Sequence, residues 1–444
     1  MTLIDRHPFG PRLTIEKHRL ENGLSVLLLP DRAAPVVAYQ TWFRVGSKHE
    51  RAGRTGIAHL FEHLMFNRTE RLAAGEFDRQ LEAVGAEANA ATWVDWTYYR
   101  NSAPARALPL LAELEAERMQ HLVLEEEPLE AERQVVLNER RQRVDDDVEG
   151  FLAESLYRLA FGRHTYGHPT IGWQPDIEAI STGDARAFYR TFYAPNNATV
   201  VIVGDFEPPA ALALLEARYG AIAPAPLVHP APPEEPPQAV ERRARFAKPV
   251  LGERAIFAYK TPPQSHDDWI PLLLLNEILV GGPSSRLYRE LIIAREAATT
   301  VQGMVAPFSD PGLWEIFASM ARGESATIAE EALDAQAALL AAEPPPADEL
   351  QKVKNRLETE HWAQLDTADG KAEALGHHET TSGDHRRLFD VAARVEAVTL
   401  EDIRRVAATY LVREARTVVV AEPSGEEADD EDDDDDDDDD GEVA

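Results

Sequence analysis

Residues 59–63 read His59-Leu60-Phe61-Glu62-His63, and this short stretch decides how the rest of the chain is interpreted. Histidines four positions apart lie one above the other on an α-helix, with roughly 6 Å between their Cβ atoms, so both imidazoles can reach one metal ion. Glu62 lies between them, close enough to hold a water molecule at that metal. The order H-x-x-E-H is the reverse of the commoner H-E-x-x-H zinc helix. The stretch therefore predicts a metal-binding helix.

A second segment is the expected source of a third ligand, because a catalytic zinc site takes three protein donors and leaves a fourth position to water. Residues 129–141 contain neither glycine nor proline and have the composition of a helix. Glu132 and Glu139 are seven residues apart in it, about 20° short of two helical turns, so they share a face. Val135 and Val136 are expected to bury that face. The alternative interpretation is a solvated run of charges.

Composition limits the other classes of site and the location of the protein. The 444 residues, 44% of them hydrophobic, suit two domains of about 200 residues each. The absence of cysteine excludes disulfides and thiolate ligands, which leaves histidine and glutamate as donors for zinc. No stretch approaches the length of a membrane span. The first residues lack a charged-then-apolar signal pattern, which predicts a cytoplasmic protein, or a periplasmic one if a leader has been removed.

The net charge of −33 disfavours nucleic acid as a partner by its sign. Fifteen acidic residues and no basic one lie between positions 426 and 442, and without them the formal charge falls to −18. We expect residues 425–444 to form a disordered acidic tail whose main role is solubility. Attraction of basic peptides is the weaker alternative.

The chain also contains an internal repeat. Residues 177–184 align without gaps to residues 395–402, an offset of 218, and residues 199–201 align in the same register to residues 417–419. Each copy has the pattern of a helix followed by a β-branched strand, so two halves of one ancestral unit are predicted. The same offset carries His59 onto Glu277, so the second half is not expected to hold a duplicate zinc site.

In sequence, the chain resembles the pitrilysin (insulinase) family of zinc metallopeptidases, the inverzincins, and in particular the short two-domain subfamily of processing-peptidase subunits. The resemblance rests on the H-x-x-E-H stretch followed by Glu139 in its own context. Further matching segments are 22–28, 42–46, 89–92, 188–197, 200–205 and 281–287. It covers nearly the whole chain apart from about the last twenty residues. It implies two similar α+β domains, each a mostly antiparallel or mixed sheet flanked by helices.

By this resemblance, His59, His63 and Glu139 are the ligands of one zinc ion per chain, and Glu62 is the general base of peptide hydrolysis. Glu132 matches the second glutamate of the family, which does not bind metal directly, and we expect it to orient a ligand histidine. Its alternative is a surface carboxylate.

Residues 88–93 resemble the family's edge strand, where a peptide or an unfolded protein adds as an extra strand through main-chain hydrogen bonds. Asn89 and Ala90 are the candidates for that contact. An ordinary amphipathic strand is nearly as good an interpretation for either residue alone.

One departure from the family pattern concerns partners. Active members have an arginine and, seven residues later, a tyrosine in the inactive half, and these positions fall here on Ile292 and Thr299. Neither residue supplies the hydrogen bond that an oxyanion needs. We therefore expect a heterodimer in which a homologous partner subunit supplies the missing pair, with a homodimer as the alternative.

These observations predict four segments: a zinc-bearing peptidase domain at 1–222, a proline-rich linker at 223–245, an inactive homologous domain at 246–424, and the tail. Residues 281–283 form a loop without the lysine of a phosphate-binding loop. His377 and His378 have no spaced carboxylate and are expected at the surface. The alternatives to a zinc endopeptidase are a non-proteolytic scaffold or partner subunit of a larger complex, and a zinc hydrolase acting on a non-peptide amide.

Overall fold

The computed structural model describes residues 1–227, 229 and 231–424, which form two α+β halves of similar design. The strands of the first half are β1 (Thr2–Phe9), β2 (Leu13–Arg19), β3 (Ser25–Pro30), β4 (Val36–Phe43), β5 (Glu87–Thr92), β6 (Thr97–Pro104) and β7 (Ala198–Gly204). Its helices are α1 (Ile57–Leu64), α2 (Glu76–Val84), α3 (Leu108–His121), α4 (Glu126–Arg140), α5 (Val148–Ala160), α6 (Gln174–Ala179), α7 (Thr182–Phe192) and α8 (Pro208–Tyr219).

The second half has fewer strands. They are β8 (Arg242–Lys248), β9 (Arg254–Lys260), β10 (Ala298–Val305), β11 (Leu313–Met320) and β12 (Arg416–Pro423). Its helices are α9 (Trp269–Val280), α10 (Ala326–Ala342), α11 (Ala347–Gln364), α12 (Ala368–Ser382), α13 (Arg387–Ala397) and α14 (Leu400–Tyr410). Short 3₁₀ turns lie at Ser47–His49, Ala105–Ala107, Thr165–Gly167, Pro195–Asn197 and Arg413–Ala415, and π-helical turns lie at Arg141–Asp145 and Tyr288–Ala294.

The five strands of the second sheet repeat the order of five strands of the first, when the first sheet is traced from β5 back to β3. The first runs β1-β2-β3-β7-β4-β6-β5, and the second runs β10-β11-β9-β12-β8. Strand β3 is parallel to β7 as β8 is to β12, whereas the other pairs are antiparallel. The predicted α+β fold of two similar domains, each a mostly antiparallel sheet flanked by helices, is therefore confirmed.

The repeat seen in the sequence is a structural one. Helix α7 begins with a capping box formed by Ser181 and Asp184, and α14 begins with the same device formed by Thr399 and Asp402. In each case the N-cap hydroxyl accepts a backbone N–H of the first turn, and the carboxylate accepts the N–H of the cap residue. Each helix is followed by a central, fully paired strand, β7 or β12. The offset of 218 therefore superposes helix on helix and strand on strand.

The boundary of the predicted linker needs a correction. Strand β8 begins at Arg242 and pairs in parallel with β12, so residues 242–245 of the predicted linker 223–245 belong to the second sheet. The arginines at the start of β8 give it a polar composition, which did not indicate a strand. Phe246 of this strand packs edge-on against Phe151 of α5, with 5.0 Å between the ring centroids. The predicted tail, residues 425–444, lies outside the described residues. None of the described helices has the length and apolar composition needed to cross a membrane.

Each half covers the sheet of the other with one helix. Helix α12, from the second half, packs on β4 and β7 of the first sheet, where Trp42 lies against Gly376 so closely that a Cβ there would be 2.1 Å from the indole nitrogen. Helix α5, from the first half, packs on β9 and β12 of the second sheet. One face of each sheet is thus buried by a helix that lies more than 90 residues away in sequence.

A hydrogen bond between the halves leads to a prediction of how the stability of the protein depends on pH. The hydroxyl of Tyr157 on α5 donates to Oε1 of Glu315 on β11, at 2.5 Å. Burial raises the pKa of Glu315 from 4.5 to about 7. Between these values the unfolded chain has lost the proton that the folded chain keeps, so the free energy of unfolding falls as the pH rises from about 4.5 to about 7 and then levels off. The fall is of the order of 3 kcal/mol.

The measurement compares melting temperatures of the wild type and of Glu315→Gln at pH 5 and pH 8. Glutamine keeps an acceptor for the Tyr157 hydroxyl but has no proton to lose. We expect the two proteins to melt alike at pH 5 and the variant to melt several degrees higher at pH 8. An equal difference at both pH values would contradict the assignment.

Candidate functional site

Helix α1 brings three of the predicted site residues to one surface. Its residues Ile57, Leu60, Phe61 and Leu64 are buried in the core of the first half. The remaining face carries His59, Glu62 and His63, with His59 buried and the other two partly exposed. This division is the amphipathic pattern of a helix that packs on the core with one side and carries polar groups on the other. The core packing of α1 therefore fixes the direction of the two imidazoles.

Helix α4 places Glu139 opposite these imidazoles. Its Oε2 atom lies 3.6 Å from Nε2 of His59 and 3.3 Å from Nε2 of His63. The potential ligand atoms of the three residues all lie within 4.8 Å of one another, and among the described residues they form the one group of three that could hold a metal ion. The arrangement therefore brings together the three residues that the sequence singled out.

The donor set fits a zinc ion, as one unpartnered atom shows. Oε2 of Glu139 is buried, faces both imidazoles and has no hydrogen-bond partner, whereas Oε1 is held 3.1 Å from Nε of Arg143. A buried carboxylate oxygen without a partner is costly unless a cation satisfies it. Two imidazoles and one carboxylate are a ligand set of catalytic zinc, which leaves a fourth position to water. Nδ1 of His59 is also buried without a partner.

The pKa values of the two histidines are shifted in opposite directions. Burial lowers the pKa of His59 from 6.5 to about 4, so its imidazole is neutral at neutral pH, which is the form that binds a metal. Burial acts in the same direction on His63, but the Glu139 carboxylate beside it raises the pKa of that imidazole above its usual range. The neighbouring His63 imidazole lowers the pKa of Glu139 in return.

Glu132 lies behind His63 and does not join the three potential ligands. Its Oε2 atom is 3.8 Å from Nδ1 of His63, and its Oε1 atom accepts a hydrogen bond from Nδ2 of Asn67 at 3.3 Å. The face between the two glutamates is only half buried, however. Val136 is inside the core as expected, but Val135 is 49% exposed, so the prediction that it is buried is wrong.

Glu62 lies between the metal-site residues and the edge of the first sheet. Burial raises the pKa of Glu62 above its usual range, although the neighbouring Thr92 and His63 act in the opposite direction. Thr92 is the last residue of β5, which pairs only with β6 and is an edge of the sheet. Asn89 is exposed and Ala90 is partly exposed on this strand. An extended peptide bound along β5 would therefore run toward Glu62.

The second half has an ion pair where the first half has its metal-site residues. Glu277 on α9, at the position that corresponds to His59, lies 3.2 Å from Nε of Arg356 on α11. Helices α9 and α11 pack together as α1 and α4 do. The guanidinium of Arg356 therefore meets the carboxylate at this position.

The residues at the expected arginine and tyrosine positions are apolar or short. Ile292 packs against the core of the second half, and Thr299 is exposed at the start of β10 with its hydroxyl donating to the carbonyl oxygen of Ser319. Neither reaches out with a cationic or phenolic group.

His377 and His378, which the sequence predicted at the surface, are only partly exposed. Both are on α12, which is inserted between the halves, and burial lowers their pKa values to about 4 and about 3. Nε2 of His377 lies 3.3 Å from Oε1 of Gln264, and its ring meets the rings of Trp42 and Trp96 edge-on. A pattern of two adjacent histidines does not reveal that a helix will be covered on both sides.

Sequence reasoning missed the neighbours that complete the site. Arg143 follows Glu139 by four residues, a spacing at which side chains meet on a helix, so this contact was open to prediction. Asn67 and Thr92 reach their glutamates only through the tertiary fold.

Fold and site together define a two-domain α+β protein with a candidate His-His-Glu metal-binding group, located in the first half beside an open strand edge. Sequence comparison then gives the family. The protein-family model described as insulinase (peptidase family M16) matches residues 25–173. The family model described as peptidase M16 inactive domain matches residues 179–357. The chain belongs to the insulinase (M16) family of peptidases.

Its relatives share nearly its full length. It is 29% identical to the zinc protease PqqE of Helicobacter pylori, with 92% of this chain and 93% of that protein covered. It is 27% identical to an uncharacterized zinc protease of Mycobacterium tuberculosis, covering 95% and 97%. It is 25% identical to the mitochondrial-processing peptidase subunit beta of Lentinula edodes, covering 88% and 86%. These names support a peptidase-type function that uses zinc.

Solved structures agree with the fold. A protease from Helicobacter pylori superposes with a TM-score of 0.89 at 29% identity, covering 92% of this chain and 99% of that one. A putative M16-like peptidase from Alicyclobacillus acidocaldarius superposes with a TM-score of 0.81 at 20% identity, covering 94% and 100%, and this second likeness concerns the fold alone.

Proposed function

We propose that this chain is a zinc-dependent endopeptidase and the catalytic subunit of a heterodimer. The observation that carries the proposal is the meeting of His59, His63 and Glu139 within 4.8 Å, with Glu62 on the same helix. Residues 1–222 would supply the peptidase half, and residues 246–424 the inactive half that closes over the substrate.

The chemistry divides among few side chains. His59, His63 and Glu139 would hold the zinc ion, which when bound lowers the pKa of a water molecule and polarises a carbonyl group. The carboxylate of Glu62 takes the proton of the attacking water and passes it to the departing amine nitrogen. Its raised pKa, caused by burial, suits a group that must both accept and release a proton. Glu132 would orient His63 from behind, through Nδ1.

The substrate class follows from the strand edge. Main-chain hydrogen bonds to β5, near Asn89 and Ala90, would align an extended peptide or unfolded protein without reading most of its side chains. Broad sequence tolerance is therefore expected. A zinc hydrolase acting on a non-peptide amide would make no use of this edge.

A partner subunit is proposed because neither of the two positions expected to supply oxyanion donors carries the expected residue. Ile292 and Thr299 stand where a charged and a phenolic donor would be needed. The relative named as subunit beta of a mitochondrial-processing peptidase is, by its name, one chain of a larger assembly.

The test measures zinc content and cleavage of a quenched fluorescent peptide library by the purified chain, alone and with a homologous chain that carries the arginine and tyrosine. We expect one zinc ion per chain, little cleavage alone and strong cleavage by the mixture. Full activity of the chain alone would contradict the proposal that it needs a partner subunit. The absence of bound zinc would contradict the proposal of a zinc peptidase and favour a scaffold role.

The two glutamates of α4 should differ in their effect on zinc affinity. Glu132→Gln weakens an orienting contact and is expected to raise the zinc dissociation constant by about 10- to 100-fold. Glu139→Gln removes a charged ligand and should raise it by more than that. Competition with a chromophoric chelator measures both, and Glu127→Gln, at an exposed position of the same helix, is the matched control. Equal effects of the two substitutions would contradict the assigned roles.

A further inference from the structure

The helix that carries the site has no cap of its own. Helix α1 has eight residues, and its N-cap residue is Gly56, which has no side chain and stands in the left-handed region at φ 88°. The first N–H groups of a helix lack intrahelical partners, and helices this short are marginal in isolation. The start of α1, which lies within one helical turn of His59, therefore depends on groups from elsewhere in the chain.

Glu50 supplies the missing cap from outside the helix. Its Oε2 atom accepts the N–H of Gly56 at 2.9 Å, and its Oε1 atom accepts the N–H of Ala58 at 2.8 Å. The side chain of Glu50 is completely buried. Both carboxylate oxygens are thus used on the backbone that directly precedes His59. A carboxylate at this end of a helix also interacts favourably with the helix dipole.

His168 holds Glu50 in place. Its Nε2 atom lies 3.1 Å from Oε2 of Glu50 and 2.8 Å from the carbonyl oxygen of Ser47. Both neighbours are acceptors, so Nε2 carries a hydrogen and donates to them. Burial alone would lower the pKa of His168, but its hydrogen bond to Glu50 raises that pKa above the usual range.

The loop that begins at His168 also holds the other helix of the site. Nη1 of Arg140, the residue after Glu139, donates to the carbonyl oxygen of Gly172 at 2.9 Å. Gly172 in turn lies directly against Gly56, where an added Cβ would come within 2.5 Å of the Gly56 Cα. One loop therefore contacts the start of α1 and the end of α4, the two helices whose spacing brings His59 and His63 to Glu139.

We infer that Glu50, held by His168, is a positioning residue that sets the register of α1 against α4 and so the spacing of the metal ligands. The inference rests on the proposed function only in taking His59, His63 and Glu139 as ligands of zinc. It does not require that the chain cleave peptides alone. Glu50 touches neither the ligands nor a substrate, and it acts through the first turn of the helix.

The test measures zinc affinity by chelator competition for Glu50→Gln and His168→Val. Glutamine offers one acceptor where two are needed, and valine removes the donor that holds the carboxylate. We expect each substitution to raise the zinc dissociation constant by about tenfold or more. His168→Gln keeps an N–H donor and is expected to restore most of the affinity.

A readout that does not depend on zinc is the hydrogen exchange of the metal-free chain. Amides of residues 60–64 in α1 are expected to exchange faster in Glu50→Gln than in the wild type, while those of α3 exchange at the same rate. Because this measurement needs neither metal nor activity, its failure is distinct from a failure of the proposed function.

The matched control is Glu115→Gln. Glu115 is an equally buried carboxylate of the first half, paired with Arg118, and it has no contact with α1 through its hydrogen bonds. This substitution should lower the melting temperature without changing zinc affinity. If Glu50→Gln behaves in the same way, with unchanged zinc affinity and unchanged exchange in α1, Glu50 is a stabilising residue only and the inference is overturned.

Discussion

Replacing Glu62 with glutamine is expected to reduce peptide cleavage by about 10²- to 10⁴-fold while leaving zinc bound. Glutamine has nearly the shape of glutamate but cannot accept the proton of the attacking water or return it to the departing amine. The proposed ligands His59, His63 and Glu139 are separate side chains, so the candidate site keeps its donors. The loss should appear in kcat, with little change in KM, because Glu62 acts on the reacting atoms.

The measurement uses the assembly that shows activity, whether the chain alone or the mixture with a partner. Zinc content is determined on the same samples, so that loss of metal and loss of the base are told apart. Glu127→Gln, the same chemical change at an exposed position of α4, should leave the rate unchanged. A Glu62→Gln protein that retains zinc and near wild-type kcat would remove Glu62 from the mechanism.

Dividing the chain into residues 1–232 and 233–444 is expected to abolish the folding of either piece alone. The first piece loses α12, which buries Trp42, Val201 and their neighbours on one face of the first sheet. Full burial of one large apolar side chain contributes about 1.5–3 kcal/mol, so exposing about six of them costs of the order of 10 kcal/mol. That is as large as the net stability of a typical domain. The second piece loses α5 in the same way.

Circular dichroism and thermal unfolding of each piece, and of the two together, measure the effect. The pieces co-expressed should assemble into a complex that unfolds cooperatively. A control chain with a protease site inserted in the proline-rich segment and cut after folding should stay associated, because the exchanged helices hold the halves together. Cooperative unfolding of either isolated piece near the temperature of the intact chain would contradict this view of the fold.

The candidate site could be predicted in part because its first three residues are local. The spacing of His59, Glu62 and His63 places them on one helical face whatever the rest of the fold does. Glu139 was assigned by resemblance, and the structure adds the distance that makes the assignment chemical, 3.3 Å to Nε2 of His63.

Other features depend on contacts that no local pattern specifies. Glu50 and His168 are 118 positions apart in the sequence, and neither belongs to a motif that predicted a role for it. The partial burial of His377 and His378 between the halves could not be predicted for the same reason. A sequence shows that a helix has an apolar face, but not that a second sheet will cover the opposite side.

The sequence by itself determined the two-fold repeat and the helix that carries His59, Glu62 and His63, since both are written in the spacing of residues. Its resemblance to a known family added the α+β class and Glu139. Only the tertiary structure decided that α5 and α12 are exchanged between the halves, that one loop holds both helices of the site, and that Arg356 meets Glu277 in the second half. The physical reason is that these contacts join segments far apart in the chain. Their partners are selected by the shape and burial of whole packed surfaces, which the spacing of neighbouring residues does not encode.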